Sequence, residues 1–476
     1  MLFHTAVFGY FFGLLTVIYY LARGAWRPWI LLLASILFYS WWSPLFTLHF
    51  LAVIAINYFY YRLRFSIYTA KGLAFIVALN LLNLFLFKYF YFIADSLQLV
   101  AQWQSSPQQP WSNVLRQAGY AIVLPLAISF YTFQIIALHV DHYRGRASKL
   151  ISARDYFLFI LFFPQLIAGP IMRYHEFGPQ LRRLRSIPPA VQMMALQLFL
   201  SGLVKKSLVA DPLATWIQPV FERPGEWRSL SLWLAMYAFA IQIYADFSGY
   251  VDMARGAALA LGFQLPENFR SPYFASSLRE FWQRWHITLS EWLRDYLYIP
   301  LGGNRHGYAR ELTALFITML LGGLWHGASF TFLIWGALHG VYLILERLGN
   351  RLRSSMGWAR SAGTITKLMR IMLVFHLVCL AWIFFRSANL DSAASFVGGL
   401  VSTNGNQSLP QQASVLLAVF LFVFLHSIQS VSFPIRLKTL GSRWSLALRI
   451  TTACLVILYI AGLQTNPGNI FIYFEF

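Results

Sequence analysis

The chain has 476 residues, of which 58% are hydrophobic, 18% are aromatic and only 11% are charged. Soluble domains average roughly 25% charged residues. A chain this apolar would expose large hydrophobic patches to water, which excludes a water-soluble globular protein. The long apolar runs indicate membrane-spanning helices rather than a β-barrel, whose strands would alternate polar and apolar residues.

Basic residues outnumber acidic ones by 37 to 17, which gives a net charge of +20. They cluster in loops between apolar runs, as expected when cytoplasmic loops retain Lys and Arg. The charge therefore indicates membrane topology, and we expect no nucleic-acid partner. Cys379 and Cys454 lie inside apolar runs and form neither a CxxC pair nor a disulfide framework, so we interpret them as core residues.

Ten apolar runs have spanning length or nearly so. In chain order they are about 2–21, 29–42, 45–61, 73–94, 119–140, 190–210, 229–262, 367–387, 413–430 and 449–465. The first run lacks a basic segment before it and is followed by Arg23 and Arg27, so we interpret it as a retained span. We find no internal repeat, and we predict one all-α polytopic domain over residues 1–476, with its motif-rich core at about 120–345.

The charges of the loops predict the orientation. Arg23 and Arg27 mark the cytoplasmic side, and the 95–118 loop, whose only basic residue is Arg116, falls opposite. The 347–370 loop carries six basic residues and is predicted to be cytoplasmic, whereas the 388–412 loop has none and is predicted to be external. Counting the spans between these loops places both termini outside the cytoplasm.

Three apolar stretches do not fit simple spans. Residues 155–172 have arginines on both flanks and contain two prolines and a glycine, so we expect a broken segment that enters and leaves on one side. Residues 312–325 and 327–345 lie between two basic regions. They predict a hairpin that dips into the membrane, with Trp325-His326-Gly327 at its tip.

His326 is the first candidate for chemistry, in the sequence Gly322-Gly-Leu-Trp-His-Gly327. The glycines permit a close backbone approach or a tight turn. A neutral imidazole at this junction could take a proton from an acceptor hydroxyl and pass it on. A structural histidine that is hydrogen-bonded to a backbone carbonyl is equally compatible with the sequence.

The segment from Arg279 to Tyr298 is the second candidate, because its spacing predicts an amphipathic helix. The aromatic stripe consists of Phe281, Trp285, Leu289, Trp292 and Tyr296, and the polar stripe consists of Glu280, Arg284, Thr288, Glu291 and Asp295. Spacing alone favours an interfacial helix with snorkelling arginines. The alternative is a helix that lines a cavity, with His286 and Arg284 facing a substrate.

Two carboxylates, Asp246 and Asp252, interrupt the unusually long hydrophobic run 229–262 and flank Ser248-Gly249. Ionisable groups at membrane depth are costly and mark functional sites, but a paired charge is as often structural. We expect partners among the nearby arginines, namely Arg255, Arg284 and Arg294.

The remaining histidines carry weaker signals. His139 and His142, with Asp141, sit at a span end and could bind a metal, but an interfacial loop explains them better, and we predict no metal site. We interpret four others as packing or loop residues: His306, His339, His376 and His426. The sequence contains no P-loop, dinucleotide fingerprint, HExxH motif or GxSxG motif.

Several long strings resemble the membrane-bound O-acyltransferase family, and within it the bacterial subunits of the alginate O-acetyltransferase type. The strings are Leu124-Pro-Leu-Ala-Ile-Ser-Phe-Tyr131, Phe163-Pro-Gln-Leu-Ile-Ala-Gly-Pro170, Tyr244-Ala-Asp-Phe-Ser-Gly-Tyr250, Leu265-Pro-Glu-Asn-Phe269, Phe281-Trp-Gln-Arg-Trp-His-Ile-Thr-Leu-Ser290, Trp292-Leu-Arg-Asp-Tyr-Leu-Tyr-Ile-Pro-Leu-Gly-Gly-Asn-Arg305 and Leu324-Trp-His-Gly327. The resemblance covers most of the chain. It implies tilted helices of uneven length around a central funnel, with re-entrant helices.

The resemblance also implies roles for individual residues. His326 matches the membrane histidine that is taken as catalytic, and His286 matches the second family histidine. Six further motif positions are expected to support the site or bind substrate: Asp246, Arg284, Ser290, Asp295, Trp325 and Asn268. No bound cofactor is implied, and cytoplasmic acetyl-CoA is the implied donor.

The implied acceptor is an extracytoplasmic polysaccharide, which is reached through periplasmic SGNH-like partner acetyltransferases. The chain itself is expected to lie in the lipid of a bacterial inner membrane. Alginate, cellulose and peptidoglycan all remain open as the polymer. Two other functions are also compatible with a polytopic chain. One is a transporter subunit that passes an acetyl donor, although the inverted repeats typical of transporters are absent. The other is a scaffold for polysaccharide export.

Overall fold

A computed structural model describes residues 1–101, 109–119, 122–146, 149–167, 169–182, 187–357, 363–402 and 405–408. The predicted spans 413–430 and 449–465, together with Cys454 and His426, lie outside the described residues. Each of the other eight predicted runs contains a helix. The all-α polytopic fold that the sequence predicts is thereby confirmed.

The first part of the described chain contains nine α-helices. They are α1 (Ala6–Leu21), α2 (Arg27–Ser40), α3 (Pro44–Arg64), α4 (Ala70–Leu84), α5 (Phe90–Ala101), α6 (Trp111–Gln117), α7 (Ile128–Tyr143), α8 (Ala153–Leu161) and α9 (Phe163–Leu166). The predicted run 119–140 becomes helical only at Ile128, because Pro125 disfavours helical geometry in the residue before it and Ala127 has a left-handed φ of 60°.

The rest of the described chain contains ten more. They are α10 (Tyr174–Leu181), α11 (Pro189–Val204), α12 (Asp211–Glu222), α13 (Ser229–Ala260), α14 (Leu278–Arg284), α15 (Ile287–Leu293), α16 (Tyr308–His326), α17 (Phe330–Ser355), α18 (Thr364–Arg386) and α19 (Leu390–Gly399). Three segments of the described chain are π-helical: Phe85–Tyr89 joins α4 to α5, Lys205–Ala210 joins α11 to α12, and Arg294–Tyr298 extends α15.

Six stretches of the described chain are long and apolar enough to cross a membrane. They are Pro44–Arg64, Ala70–Leu99, Ala190–Glu222, Ser229–Ala260, Phe330–Ser355 and Thr364–Arg386. Helix α13 is the central one, since 83% of its spanning window is buried inside the protein, against 17–39% in the other five. The two shorter apolar helices, α1 and α2, add to the bundle.

The broken segments that the sequence predicts are present. Within 155–172, helix α8 ends at Leu161 and a short helix, α9, follows from Phe163 to Leu166. Helices α16 and α17 pack along each other and are separated by three residues, with His326 as the last residue of α16. The predicted hairpin with His326 at its tip is therefore confirmed as a helical hairpin.

The prediction of a single helix from Arg279 to Tyr298 is wrong. The segment 279–298 is not a continuous amphipathic helix, because α14 ends at Arg284 and His286 has a left-handed φ of 43° before α15 begins. Spacing could not reveal this break, since both halves keep helical periodicity. The break divides the aromatic stripe between two buried clusters: Phe281 and Trp285 pack in one, Leu289 and Trp292 in the other.

Glycines allow α11 and α13 to touch through their backbones. A Cβ atom on Gly202 would overlap the carbonyl oxygen of Gly249, and a Cβ on Gly249 would lie 2.7 Å from the carbonyl oxygen of Gly202. Small residues at such crossings permit the close van der Waals packing that holds helices together in lipid. Helix α11 is thereby held against the central helix.

Replacing this glycine tests the crossing. We expect Gly202→Ala to lower the free energy of unfolding by about 1–3 kcal/mol, the usual cost of overpacking a buried contact. Gly13→Ala on α1 is the matched control, because no atom lies within 4 Å of the added Cβ. Thermal unfolding in detergent should separate the two variants, and equal melting temperatures would contradict the close crossing.

Candidate active site

His326 is buried at the end of α16, enclosed by aromatic side chains. Its ring centroid lies 4.9 Å from that of Trp325, 5.0 Å from that of Trp335 and 5.2 Å from that of Phe385. The next residue, Gly327, leaves room for the ring of Phe332, which a Cβ atom at this position would overlap. The glycine therefore lets the hairpin close directly behind the histidine.

The end of α16 is held by side chains from the π-helical segment Phe85–Tyr89. Lys88 Nζ donates to the carbonyl oxygens of Trp325 at 2.7 Å and His326 at 3.0 Å. The Tyr89 hydroxyl donates to the carbonyl oxygen of Leu324 at 2.9 Å. Sequence reasoning missed Lys88, although it is the only charged residue in the apolar run 73–94.

A cavity of about 660 Å³ reaches His326. Its lining consists of Met1, Leu2, Thr5, Val7, Trp41, Trp42, Lys88, residues 124–130, Ile167, Trp325 and His326. The strained, left-handed Ala127 lies in this wall at the start of α7, and such strain is typical of functional sites. By the predicted topology, the N-terminal residues and the Trp41-Trp42 turn place the cavity mouth on the external side.

His286 is buried between α14 and α15, and its Nδ1 lies 3.2 Å from Oδ1 of Asn268. The same Asn268 oxygen accepts hydrogen bonds from the backbone N–H and the hydroxyl of Thr288, at 3.1 Å and 2.9 Å. Because a backbone N–H only donates, this atom is the amide oxygen, and Nδ1 of a neutral His286 must carry the hydrogen. Nε2 then presents a lone pair, and it has no hydrogen-bond partner within the described residues.

The two candidate histidines meet at Trp325. The ring centroid of His286 lies 6.0 Å from that of Trp325, whose own centroid is 4.9 Å from that of His326. Phe247 from the central helix closes the other side, with its ring 4.8 Å from that of His286. The structure therefore brings together four of the predicted site residues: His326, His286, Trp325 and Asn268.

Asp246 has a lysine partner rather than the predicted arginine. Lys206, with 1% of its side chain exposed, lies 2.8 Å from one carboxylate oxygen of Asp246 and 2.8 Å from one of Asp211. Asp252 pairs with Lys205 at 2.7 Å and with the predicted Arg255 at 3.7 Å. These lysines lie in the π-helical segment after α11, so the carboxylates of α13 hold α11 and α12 in place.

Arg284 and Ser290 are bonded within their own segment. Arg284 pairs with Glu280 at 2.5 Å, one helical turn earlier, and Ser290 donates to the carbonyl oxygen of Trp285 at 3.3 Å. Partial burial would raise the pKa of Glu280, but hydrogen bonds from Ser276 and the charge of Arg284 lower it overall. Arg284 is thus held in an ion pair, and its contact with a substrate stays a prediction.

Asp295 is the centre of an ion-pair group near the predicted cytoplasmic side. It lies 2.6 Å from Arg173 and 2.7 Å from Arg294. Burial alone would raise the pKa of Asp295, but the hydrogen bonds and charges of these two arginines lower it, so the carboxylate stays ionised. Arg144 donates to the backbone carbonyl of Asp295 at 3.1 Å and lies over the ring of Tyr296.

A stack of aromatic rings joins this group to His326. Successive ring centroids lie 5.2 Å apart from Tyr296 to Trp292, 3.6 Å from Trp292 to Phe133, 5.5 Å from Phe133 to Trp325 and 4.9 Å from Trp325 to His326. The stack runs through α15 and α7, so the ion-pair group and the histidine are connected by rigid, packed side chains.

Comparison with known proteins decides the family. The sequence profile of the membrane-bound O-acyltransferase family matches residues 36–384, which include both histidines and most of the described helices. The chain belongs to the membrane-bound O-acyltransferase family. It is therefore a membrane acyltransferase, as the motifs around His286 and His326 indicate.

Three bacterial relatives of this membrane-bound O-acyltransferase extend the comparison. It is 40% identical to a probable alginate O-acetylase of Pseudomonas aeruginosa over 79% of this chain and 70% of that protein. It is 34% identical over the full length of both chains to a probable alginate O-acetylase of Pseudomonas putida. It is 36% identical to a peptidoglycan O-acetyltransferase of Helicobacter pylori over 79% of this chain and 74% of that protein.

Among the other histidines of the acyltransferase, His139 and His142 lie in α7, His339 in α17 and His376 in α18, whereas His306 lies in the loop before α16. His139, on α7, is buried, with Nδ1 2.5 Å from the Tyr68 hydroxyl and Nε2 3.1 Å from Oδ1 of Asn57, so the interfacial-loop interpretation is wrong. His339 is packed between Trp282 and Trp335, as expected for a packing residue. The described residues contain no group of side chains that could hold a metal ion.

The ion-pair triad of Lys206, Asp211 and Asp246 joins three helices, and replacing its lysine tests whether the triad stabilises the acyltransferase. We expect Lys206→Met to lower the free energy of unfolding by about 3–5 kcal/mol, because Asp246 and Asp211 lose their ion pairs with the buried lysine. The control is Arg270→Met, which breaks an exposed pair with Glu267 and should cost about 0–1 kcal/mol. Similar thermal stability of the two variants would show that the triad contributes little.

Proposed function

We propose that this acyltransferase moves acetyl groups from cytoplasmic acetyl-CoA to hydroxyl groups of an extracytoplasmic polysaccharide, with His326 as the reacting base. The single observation that carries the proposal is the position of His326. It is a buried imidazole that lines a cavity, and its neighbour Trp325 also contacts a second histidine. An imidazole in this position can take a proton from a hydroxyl group that is bound in the cavity.

The chemistry follows from a neutral imidazole. His326 accepts the proton of the acceptor hydroxyl while the hydroxyl oxygen attacks the thioester carbonyl, and the resulting tetrahedral intermediate expels the thiolate of CoA. The proton on His326 then passes to that thiolate, so the ester and free CoA thiol are the only products. In the alternative route, the imidazole itself accepts the acetyl group as a transient carrier.

His286 supports this reaction as an acceptor of hydrogen bonds. Its Nδ1 hydrogen is directed at Asn268, so the lone pair of Nε2 can accept a hydrogen bond from a hydroxyl or thiol group but cannot polarise a carbonyl oxygen. Asn268 and Thr288 fix the ring in this tautomer. Arg284, which is paired with Glu280, has no part in the proposed step.

The donor is proposed from the charges near Asp295. The arginine cluster, defined as Arg144, Arg146, Arg173 and Arg294, surrounds two carboxylates, Asp141 and Asp295. This leaves surplus positive charge that is able to attract the phosphates of CoA. The aromatic stack from Tyr296 to Trp325 marks the proposed path of the donor from the arginine cluster to His326.

The acceptor is proposed from the cavity and the relatives. The cavity at His326 opens beside the N-terminal residues, on the predicted external side. The relatives include a probable alginate O-acetylase and a peptidoglycan O-acetyltransferase, and both polymers bear hydroxyl groups and lie outside the cytoplasm. We propose alginate, cellulose or peptidoglycan as the polymer, an SGNH-like periplasmic partner, and a bacterial inner-membrane location with both termini in the periplasm.

Acetyl transfer from radiolabelled acetyl-CoA by the purified protein in nanodiscs tests the proposal. We expect His326→Ala to lower the rate at least about 100-fold, because general base catalysis contributes about 10²–10⁴. His286→Ala should lower it less. His376→Ala is the control, because His376 on α18 is hydrogen-bonded to Tyr237 of α13, outside the proposed site.

A wild-type rate in His326→Ala would remove the proposed role of this residue. Equal rates in all four proteins would show that the acetyl chemistry does not depend on these histidines. That outcome would favour the transporter or scaffold functions that the sequence left open. Running alginate, cellulose and peptidoglycan fragments in parallel reactions distinguishes the three proposed acceptors.

A further inference from the structure

We propose that Lys88 is a positioning residue for acyl transfer, because its ammonium group fixes the last turn of α16 and so the direction of the His326 imidazole. The inference rests on the proposed role of His326 as the reacting base. It adds a residue from a distant part of the sequence, 238 positions away, that no motif of the family strings includes.

The geometry uses every proton of the ammonium group. Lys88 Nζ lies 2.7 Å from the carbonyl oxygen of Trp325, 3.0 Å from that of His326 and 3.4 Å from the hydroxyl of Ser129. An ammonium group has three donors and no acceptor. All three are directed at oxygens, and two of these belong to the residue that carries the chemistry and to the tryptophan that both histidines contact.

The charge of Lys88 has no carboxylate partner in the described part of the chain. Lys205 and Lys206 differ, since Lys205 pairs with Asp252 and Lys206 pairs with Asp246. Burying an unpaired charge costs several kcal/mol, and the negative end of a helix offsets about 0.3–2 kcal/mol of it. Tyr89, one residue later, bonds the carbonyl oxygen of Leu324 with a neutral hydroxyl at much lower cost.

A helix cap alone therefore does not require a lysine here. The lysine differs from Tyr89 in where its bonds fall, since it holds His326 itself and lines the same cavity. The carbonyl oxygens in the last turn of a helix have no partner within the helix, so this turn would fray or rotate without donors from another segment. A reacting group that is displaced by about 1 Å can lose about 100-fold in rate.

The π-helical segment explains how Lys88 reaches this position. It spans Phe85–Tyr89, so the extra residue in this turn brings Lys88 and Tyr89 together onto the end of α16. Single π-turns inside α-helices occur frequently at functional sites. Ser129, the third partner, follows the strained Ala127 at the start of α7.

The test compares Lys88→Met, Lys88→Gln, Lys88→Arg and Tyr89→Phe in nanodiscs, by steady-state kinetics and thermal unfolding. We expect Lys88→Met to lower kcat by about 10–100-fold with the KM for acetyl-CoA within about twofold, because the defect lies in the reacting geometry. Lys88→Arg, which retains charge and donors, should keep at least about a third of kcat. Tyr89→Phe should remain near wild type.

A kcat within about twofold of wild type in Lys88→Met would overturn the inference. So would equal losses in Lys88→Met and Tyr89→Phe accompanied by equal drops in melting temperature, because these indicate a purely structural role. If Lys88→Met does not fold, the comparison of Lys88→Gln with Lys88→Arg decides in the same way, since only arginine keeps the charge.

A second measurement separates this inference from the proposed function. The rate at which diethyl pyrocarbonate modifies His326, read by mass spectrometry, reports the placement of its imidazole without any acetyl transfer. We expect Lys88→Met or Lys88→Gln to change this rate at least about threefold, while the rate at His376 stays constant. An unchanged His326 rate would overturn the positioning role, whereas absent acetyl transfer in the wild type would count only against the proposed function.

Discussion

The last carbonyl groups of α16 have no partner within the helix and need hydrogen-bond donors from elsewhere in the protein. Lys88 and Tyr89 provide those donors to three consecutive carbonyl oxygens, ending at His326. The position of the candidate base thus depends on an interaction between residues far apart in sequence. The hairpin of α16 and α17 and the cavity are both organised around this helix end.

The same requirement shapes the rest of the bundle. Lys206 satisfies two carboxylates between α11, α12 and α13, and the His139 ring is bonded on both sides, by Tyr68 and Asn57. Polar groups buried in a membrane protein have to be satisfied within the protein. All three π-helical segments in the described chain carry charged residues that make such contacts, and each changes the helical register at the point where the contact is needed.

Much of the fold could be predicted from hydropathy. The apolar runs, the broken segment 155–172 and the hairpin tip at His326 follow from run length, prolines and flanking charge. The assignment of both His286 and His326 to one site came from the family resemblance and not from residue spacing. Spacing in fact predicted a continuous helix over 279–298, because helical periodicity does not report a single left-handed residue.

The partners of buried charges were the part that sequence could not provide. Asp246 was expected to meet an arginine, but the π-helical segment after α11 places Lys206 there instead. Lys88 was visible as a lone charge in an apolar run, yet nothing local indicates that its partners are carbonyl oxygens at residues 325 and 326. Such contacts depend on helix register across the bundle, which hydropathy does not determine.

We propose that acyl transfer takes place beside Trp325, whose ring contacts both His326 and His286. The most direct measurement is an experimental structure of the protein in nanodiscs with a non-hydrolysable thioether analogue of acetyl-CoA. We predict density for the thioether and its carbonyl in contact with His326, with the phosphates at the arginine cluster. An analogue whose carbonyl lies more than one helical turn (about 5.4 Å) from the imidazole of His326 would contradict the claim.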